Sequence, residues 1–403
     1  MEEIGIYYIE DIERAKFFAR FEFQNNIKTL FITNNLTVYL YLKIKNKNKK
    51  VQLLNITSNI KFISIPNLTN TIENKLSYCN KNESKNLYCS VYNTLDNLLK
   101  KYKIKFIFVW NGNKIGDLAC KFFAKNHCIS VLFFEISNIP GKIFIDECGT
   151  NKNSSLFLTP QKLDKLTYNE YEYENWKNNY IKIKKDNFIL PQSKKKNKLL
   201  SLLSILIRYA GILLQISVKD FCVYRSIESL GLFNKKNVLI KGSTIDLKKF
   251  GRFVFVPLQV ESDTQIIINS KINLMELIER AVDYAKSNNL KLIIKPHPAE
   301  RNNKIFEYIK CLLNDNFVVA NNNTFELIEN AEVVITINST VGLEALILEK
   351  TVIFLGETFY SKLSEERLKK YILKYLYNIE YFSNEKIVFD EEDNVNKYNS
   401  ASL

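Results

Sequence analysis

The residues best able to do chemistry in this chain lie in two short runs of its second half. LKLIIKPHPAE (residues 290–300) holds Lys295 and His297, and His297 is one of only two histidines, fixed between Pro296 and Pro298. AEVVITINSTVGLEAL (residues 331–346) holds Asn338, Ser339 and Thr340 at the end of an apolar run, with Glu344 one helical turn further on. An apolar strand that breaks at Ser/Thr and runs into a helix aims unpaired backbone N–H groups and the positive end of the helix dipole above the sheet, where an anion is stabilised. Thr340 and Glu344 share a helix face, and Gly342 between them allows a ligand or neighbouring backbone close. Hydroxyls for phosphate oxygens and a carboxylate for a ribose diol would make a nucleotide site. The plainer alternative is an α/β unit whose Ser/Thr caps a helix. Lys295 and His297, at a strand's carboxyl end, can donate to a phosphate oxygen; a satisfied structural histidine is the other reading.

A third run, PLQVESDTQ (residues 257–265), places Glu261 and Asp263 between glutamines Gln259 and Gln265 that can orient them by hydrogen bonds. Two carboxylates on one loop can serve as nucleophile and acid/base partner at a sugar carbon, or form no more than a solvated loop pair. In the first half, Trp110-Asn111-Gly112 ends an apolar run before a helix. That is where open α/β sheets bind ligands, though Asn-Gly also simply makes a turn. Glu135 follows a second buried run, and Asn138, Asp146, Asn151 and Ser154 crowd the loops beyond it. Polar groups so placed suit a hydroxylated acceptor. His127, at a helix end among polar residues, has no assigned role.

These runs need a scaffold. Apolar stretches at residues 4–9, 28–33, 51–56, 106–110 and 130–134 alternate with helical patterns at 11–25, with Asp11 as cap, 95–102 and 114–126. That is the rhythm of a parallel sheet wrapped by helices. Residues 61–86 are irregular and Asn/Ser-rich, read as a loop with a short helix. A second series opens near residue 237, with strands at 237–242, 252–260, 290–295, 317–320, 332–337 and 351–355. Helices are expected between them at 273–287, 303–313, 324–330 and from Val341, and a last one at 361–377. The predicted fold class is α/β, with two Rossmann-like domains facing a central cleft in a GT-B-like arrangement. The expected divisions are residues 1–165, a linker at 166–235, a second domain at 236–370, and a tail at 371–403 that packs back on the first domain.

With 403 residues, 46% hydrophobic and 25% charged, the chain can bury two cores, and wholesale disorder is excluded. Its formal charge of +14 implies an acidic partner, nucleotide phosphates or an anionic membrane, although an AT-rich genome also inflates lysine. No nucleic-acid signature is present, so nucleic acid is the weakest partner class. Cys79, Cys89, Cys120, Cys128, Cys148, Cys222 and Cys311 are scattered without a CxxC pair, which argues against a disulfide framework or a zinc site and for a reducing cytoplasm. The acidic N-terminus lacks a signal-peptide pattern.

Between the halves, a lysine-rich leader precedes LLSLLSILIRYAGILLQISV (residues 199–218), whose single charge is Arg208. Three arrangements compete. A spanning helix would hold Arg208 near mid-bilayer at roughly 2.5 kcal/mol or more, and would put the two halves on opposite sides of a membrane. An interfacial helix would set its lysines against anionic headgroups and its leucines in the acyl boundary. A helix buried at the domain junction is the third.

LIIKPHP followed by ITINSTVGLEAL, with PLQVESDTQ upstream and, in the first half, VWNG (residues 109–112) and FFEISNIPGKIFIDECGTNKNSSL (residues 133–156), resembles the bacterial capsular polysaccharide biosynthesis and export family of β-Kdo transferases. These motifs occur in order from about residue 109 to 356. The resemblance implies a GT-B glycosyltransferase that moves Kdo from CMP-Kdo, with retention, to a (lyso)phosphatidylglycerol lipid or to Kdo already on it, building a capsule's β-Kdo linker. It implies catalytic roles for Asp263 as covalent sugar carrier, with Glu261 and Gln259, and a nucleotide-sugar site of Lys295, His297, Asn338, Ser339, Thr340 and Glu344. Asn111, Gly112, Glu135 and Asn138 fall on the acceptor side. No metal and no cofactor are expected, since no DxD motif stands in a suitable position and side chains with a helix end neutralise the leaving phosphate. The implied partners are the nucleotide sugar, the lipid acceptor, the anionic inner face of the cytoplasmic membrane, where the protein would be peripheral, and capsule export machinery. The N-terminal MEEIGIYYIEDIERAK departs from the family in lacking a glycine-rich loop. Rival readings are another GT-B transferase, sialyltransferase-like or teichoic-acid-type, and a catalytically silent capsule assembly protein.

Overall fold

The computed structural model describes residues 1–46, 48–54, 64–185, 198–214, 242–300 and 303–389, with the backbone alone for 198–201. It divides into two compact units. The first comprises Met1–Ser155, Lys194–Phe233 and Tyr375–Leu403, and the second Leu156–Ser193 with Asn234–Lys374. Each is α/β, of the Rossmann-like kind paired in GT-B-like chains.

The first unit is built on β1 (Glu3–Tyr8), β3 (Lys28–Thr33), β4 (Lys50–Leu53), β5 (Lys103–Trp110), β6 (Ser130–Ile136), β7 (Lys142–Asp146) and β13 (Tyr377–Asn378). The sheet order is β13-β7-β6-β5-β1-β3-β4. Only β7, against β6, and β13, against β7, pair antiparallel. Because strand side chains alternate, Ile4, Ile6 and Tyr8 enter one core with Leu87, Leu95 and Phe123 of the covering helices Lys81–Leu99 and Ile115–Asn126. Tyr7 and Ile9 enter the other, with Phe17, Phe18, Phe31, Phe108 and Phe134. Tyr7 stacks on Phe108 with ring centroids 4.5 Å apart. Burying each such side chain is worth about 1.5–3 kcal/mol, which is why a strand apolar on both faces is held in the sheet's interior.

Several elements differ from the sequence expectation. The Lys81–Leu99 helix begins well before residue 95, because Asn80 and Glu83 form a capping box in a stretch whose Asn and Ser suggest a loop. The Leu36–Lys45 helix, capped by Asn35, was not expected. Two short strands, β2 (Phe21–Phe23) and β14 (Ile387–Phe389), pair parallel with each other. With β13, they bring the far end of the chain onto the first unit.

The second unit holds β8 (Phe253–Pro257), β9 (Lys291–Lys295), β10 (Phe317–Val319), β11 (Val333–Thr336) and β12 (Thr351–Phe354), in the order β10-β9-β8-β11-β12. All four pairings are parallel. The strand expected at residues 237–242 lies outside the described residues except for Gly242. The stretch expected as linker divides. Its Glu170–Lys185 helix joins the second unit, with Tyr180 5.9 Å from Phe325 between ring centroids and Lys185 2.7 Å from Glu329. Its Lys198–Leu213 helix joins the first, where Thr37 Oγ1 donates to Ser204 O at 3.1 Å. Arg208 is buried in that unit and donates to Glu10 O at 2.5 Å. Among the described residues no helix is long and apolar enough to cross a membrane. The six described cysteines are free thiols, and Cys222 lies outside the described residues.

Candidate functional site

In the second unit β8 and β11 are neighbours, yet the chain leaves β8 toward β9 and β11 toward β12. The carboxyl ends of two parallel strands that diverge in this way flank the crevice where such sheets hold ligands. The loop after β8 carries Gln259, Glu261 and Asp263, the loop after β9 carries His297, and the loop after β11 carries Asn338 and Ser339. All three motif runs therefore meet at one edge of one sheet.

Hydrogen bonds tie these loops together. Buried Gln259 donates from Nε2 to Asn338 Oδ1 at 3.1 Å and accepts from Asn338 N at 3.3 Å. Asn338 Nδ2 in turn donates to Gln265 O at 2.9 Å, in the short helix Thr264–Asn269. Asp263 is that helix's N-cap, with Oδ1 accepting from Gln265 N at 2.9 Å. One carboxylate oxygen is thus held by a helix start, and the other accepts no hydrogen bond recorded among the described residues. Glu261 is exposed, and its backbone N–H donates to Glu300 Oε2 at 2.6 Å.

Glu300 is a residue that sequence reasoning missed. Only 3% exposed, it also donates from its backbone to His297 O at 2.9 Å, so it clasps the β8 and β9 loops to each other. Its sole signal was an acid three residues after the histidine in KPHPAE. His297 Nδ1 accepts from Ala299 N at 3.0 Å, which assigns the proton of the neutral ring to Nε2 and makes that nitrogen a donor. Lys295 donates to Asn322 O at 2.5 Å and Thr324 Oγ1 at 3.0 Å. Burial lowers its pKa, with Glu326 opposing.

Ser339 is the N-cap of the Thr340–Ile347 helix, its Oγ accepting from Val341 N at 3.2 Å. Thr340 and Glu344 share a face as their spacing requires, but their surroundings differ. Thr340 is exposed, while Glu344 is buried and accepts from Lys184 at 2.7 Å. Burial, with the Glu344 charge next in order, raises the Tyr180 hydroxyl well above its ordinary value. Lys184 and Tyr180 come from the Glu170–Lys185 helix, a connection no local pattern disclosed. Gly342 is required by packing: a Cβ there would stand 2.4 Å from the Phe354 ring and 3.1 Å from Thr336 Cγ2. Its close neighbours are these two side chains.

In the first unit Asn111 and Gly112 form a turn at the end of β5 with φ of 64° and 82°. Asn111 donates from its backbone to Phe134 O at 3.0 Å and accepts from Thr150 Oγ1 at 2.8 Å. A Cβ on Gly112 would lie 2.7 Å from the Phe133 ring. Glu135, near the end of β6, accepts from Asn151 Nδ2 at 3.1 Å. Asn138 sits between β6 and β7, in a turn closed by Ser137 Oγ donating to Ile139 O at 2.9 Å. Asp146, at the end of β7, anchors the following loop, accepting from Cys148 N, Ser155 Oγ and Tyr375 OH at 2.7, 2.7 and 2.8 Å.

The sequence gave no warning of a buried ionic cluster at the carboxyl ends of β1 and β5. Glu10 meets the Lys114 ammonium and accepts from Tyr8 OH at 2.8 Å. Asp117 Oδ2 accepts from Lys114 N at 3.2 Å, and Glu73 Oε2 from Ile115 N at 3.2 Å. Burial first, and then the Glu10 charge, pushes Asp117 up to about 8, and the same causes raise Glu73 well above the carboxylate range. Among the described residues no group of three His, Cys, Asp or Glu side chains is disposed to hold a metal ion.

Two Rossmann-like α/β units, with motif loops gathered on one sheet edge of the second, define a GT-B-like chain. Residues 231–364 match the family described as capsule polysaccharide biosynthesis protein. It is also similar to Protein FixF of Sinorhizobium fredii (strain NBRC 101917 / NGR234), 41% identical over 113 residues, which are 27% of each protein. The match therefore spans about a quarter of that relative's length. Among solved structures, the Thermosulfurimonas dismutans KpsC β Kdo 2,7 transferase overlaps 96% of this chain and 95% of its own, at 14% identity and TM-score 0.46. The β Kdo 2,4 transferase of the same KpsC overlaps 69% and 85%, at 14% identity and TM-score 0.38.

Proposed function

We propose that this protein is a glycosyltransferase of capsule polysaccharide biosynthesis that transfers Kdo from CMP-Kdo, with retention, to a (lyso)phosphatidylglycerol lipid or to Kdo already on it. The observation that carries this reading is the meeting of Asp263, His297 and the Ser339-capped helix start at one sheet edge, inside the segment that matches the capsule family.

In the first displacement an Asp263 oxygen attacks the anomeric carbon, forming a carboxylate ester as the bond from that carbon to the CMP phosphate oxygen breaks. His297 Nε2–H, Lys295 and the Thr340 helix start stabilise the charge gathering on the departing phosphate. In the second displacement the acceptor hydroxyl attacks the same carbon, the ester breaks, and the hydroxyl proton passes to a carboxylate, for which Glu261 is the candidate on the same loop. Two inversions give net retention. Gln259 and Asn338 hold the Asp263 helix in place. A ribose diol reaching Glu344 has to compete with Lys184. Asn111, Gly112, Glu135 and Asn138 are assigned to the acceptor, and the reading requires no metal or cofactor. Its partners are the nucleotide sugar, the lipid acceptor and the inner face of the cytoplasmic membrane, with capsule export machinery downstream.

The test supplies CMP-Kdo generated in situ and a fluorescent lysophosphatidylglycerol, with products read by mass spectrometry beside Asp263→Asn. Expected are a mass gain of one Kdo and a loss of about 10³-fold or more in the variant. No gain, together with no CMP binding in competition against UDP and CDP, sinks the Kdo assignment and favours another nucleotide donor. CMP binding without transfer moves the error to the acceptor. Full capsule production by cells carrying Asp263→Ala would instead favour a catalytically silent assembly role.

A further inference from the structure

The Lys198–Leu213 helix of the first unit has two unlike faces. Ile205 and Arg208 point into the unit at 7% and 5% exposure, and Arg208 is tied to the backbone of Glu10. On the opposite side Leu202, Leu203, Leu206, Tyr209 and Leu213 are 41–80% exposed and recur at helical spacing. The one charge within the apolar run is therefore spent inward, and the outward face is apolar throughout. The helix packs against Leu36–Lys45, which adds Leu40 and Ile44, four residues apart and 40% and 67% exposed. Exposed Lys43 and Lys45 stand on either side of Ile44. In the sequence, Lys194, Lys195 and Lys196 come just before the helix and Lys198 begins it, in a chain of net charge +14.

We infer that this two-helix face docks on an anionic phospholipid bilayer, with Leu202, Leu206, Leu213 and Ile44 entering the acyl boundary and Lys43 and Lys45 meeting the headgroups. The choice of occupant rests on charge. An apolar face bordered by Lys43 and Lys45 complements a lipid surface that is apolar beneath an anionic layer, whereas a second copy of this chain would bring the same cations to the contact. The helix has 16 residues and is about 24 Å long, short of a bilayer's hydrocarbon thickness, so it lies along the surface. This deepens the proposed function by bringing a lipid-linked acceptor within reach of a protein held at the membrane, and it rests in that respect on that reading.

The experiment is flotation of the full chain with phosphatidylserine–phosphatidylcholine vesicles and with phosphatidylcholine vesicles. Neither contains the proposed acceptor, so the outcome is independent of transfer. Leu206→Glu/Leu213→Glu is compared with Leu158→Glu, a control at a leucine 67% exposed in the second unit. Expected are binding to the anionic vesicles alone, weakening with salt, a loss of about tenfold or more in the double variant, and none in the control. Absence of vesicle binding, or equal binding by wild type and double variant, overturns the inference. A wild-type dimer that the double variant turns monomeric, without vesicle binding, overturns it too and gives the face to a second copy of the chain.

Discussion

At the scale of single residues, Asn338 does more than its place in the Asn-Ser-Thr break suggested. It joins the β8 loop to the β11 loop through Gln259 and holds the Asp263 helix through Gln265. Asn338→Ala keeps the backbone N–H that donates to Gln259 Oε1 but removes the Oδ1 that accepts from the buried Gln259 Nε2 and the Nδ2 that donates to Gln265 O, and the expected cost is about 1–3 kcal/mol in urea unfolding, with transfer falling further than stability accounts for. Wild-type stability in that variant would show that the loops hold without the pair. Asp117 has a different consequence. Its carboxyl, pushed up to about 8, keeps a proton in the folded chain at pH values where the unfolded chain has lost it. The unfolded state then binds fewer protons, so stability falls as pH rises from the ordinary carboxylate range to about 8 and levels above it. Glu73, also raised, acts in the same direction. The wild-type urea midpoint is expected to decline more steeply between about pH 5 and about pH 8 than that of Asp117→Asn. Equal slopes in the two proteins would mean that Asp117 titrates as an exposed carboxyl.

At the scale of elements, period and punctuation disclosed what they physically encode. β8, β9 and β11 are short apolar runs with helices after them, so their positions and the loops at their carboxyl ends could be read directly. Where a carboxylate or hydroxyl lies on such a loop, its edge of the sheet follows from the parallel pairing alone. Pairings between distant segments leave no local trace. Lys184 reaches Glu344 across 160 residues, and Glu300 reaches Glu261 across 39. The ionic cluster gathers Glu10, Glu73 and Lys114 from three separate segments, each of which alone reads as a solvated surface charge. The Lys81–Leu99 helix was hidden for another reason: Lys81, Asn82, Lys85, Asn86 and Asn97 hold the exposed face, while polar Ser84, Ser90 and Asn93 occupy buried positions and blur the apolar period. In the Lys198–Leu213 helix, Arg208 counts against a spanning arrangement, and its side chain enters the first unit.

At the scale of the molecule, the two units alternate along the chain, with Leu156–Ser193 and Asn234–Lys374 of the second set between the three parts of the first. Removing residues 375–403 takes away β13, β14, the Tyr381 ring stacked 5.0 Å from Phe17, and the carbonyls of Glu380, Tyr381 and Glu385 that accept from Arg20. A chain truncated after Lys374 is therefore expected to lose hydrogen-exchange protection in β2, β7 and the Ile12–Phe18 helix, while β8–β12 keep theirs. Uniform loss across both sheets would show that the units do not unfold separately, and unchanged protection would show that the returning strands add nothing.

The parallel pairing of β2 with β14 also sets an order of events during synthesis. Phe21–Phe23 leaves the ribosome before any strand of the second sheet, yet its hydrogen-bonding partner Ile387–Phe389 is made only after that whole sheet has emerged. For that interval Phe23, Phe106 and Phe108 await the Phe389 ring that finally packs 5.3–5.6 Å from them, and an unpaired strand edge stands beside them. The second sheet can mature while β2 still waits, and this delay is when the protein is most open to capture by a chaperone or to aggregation.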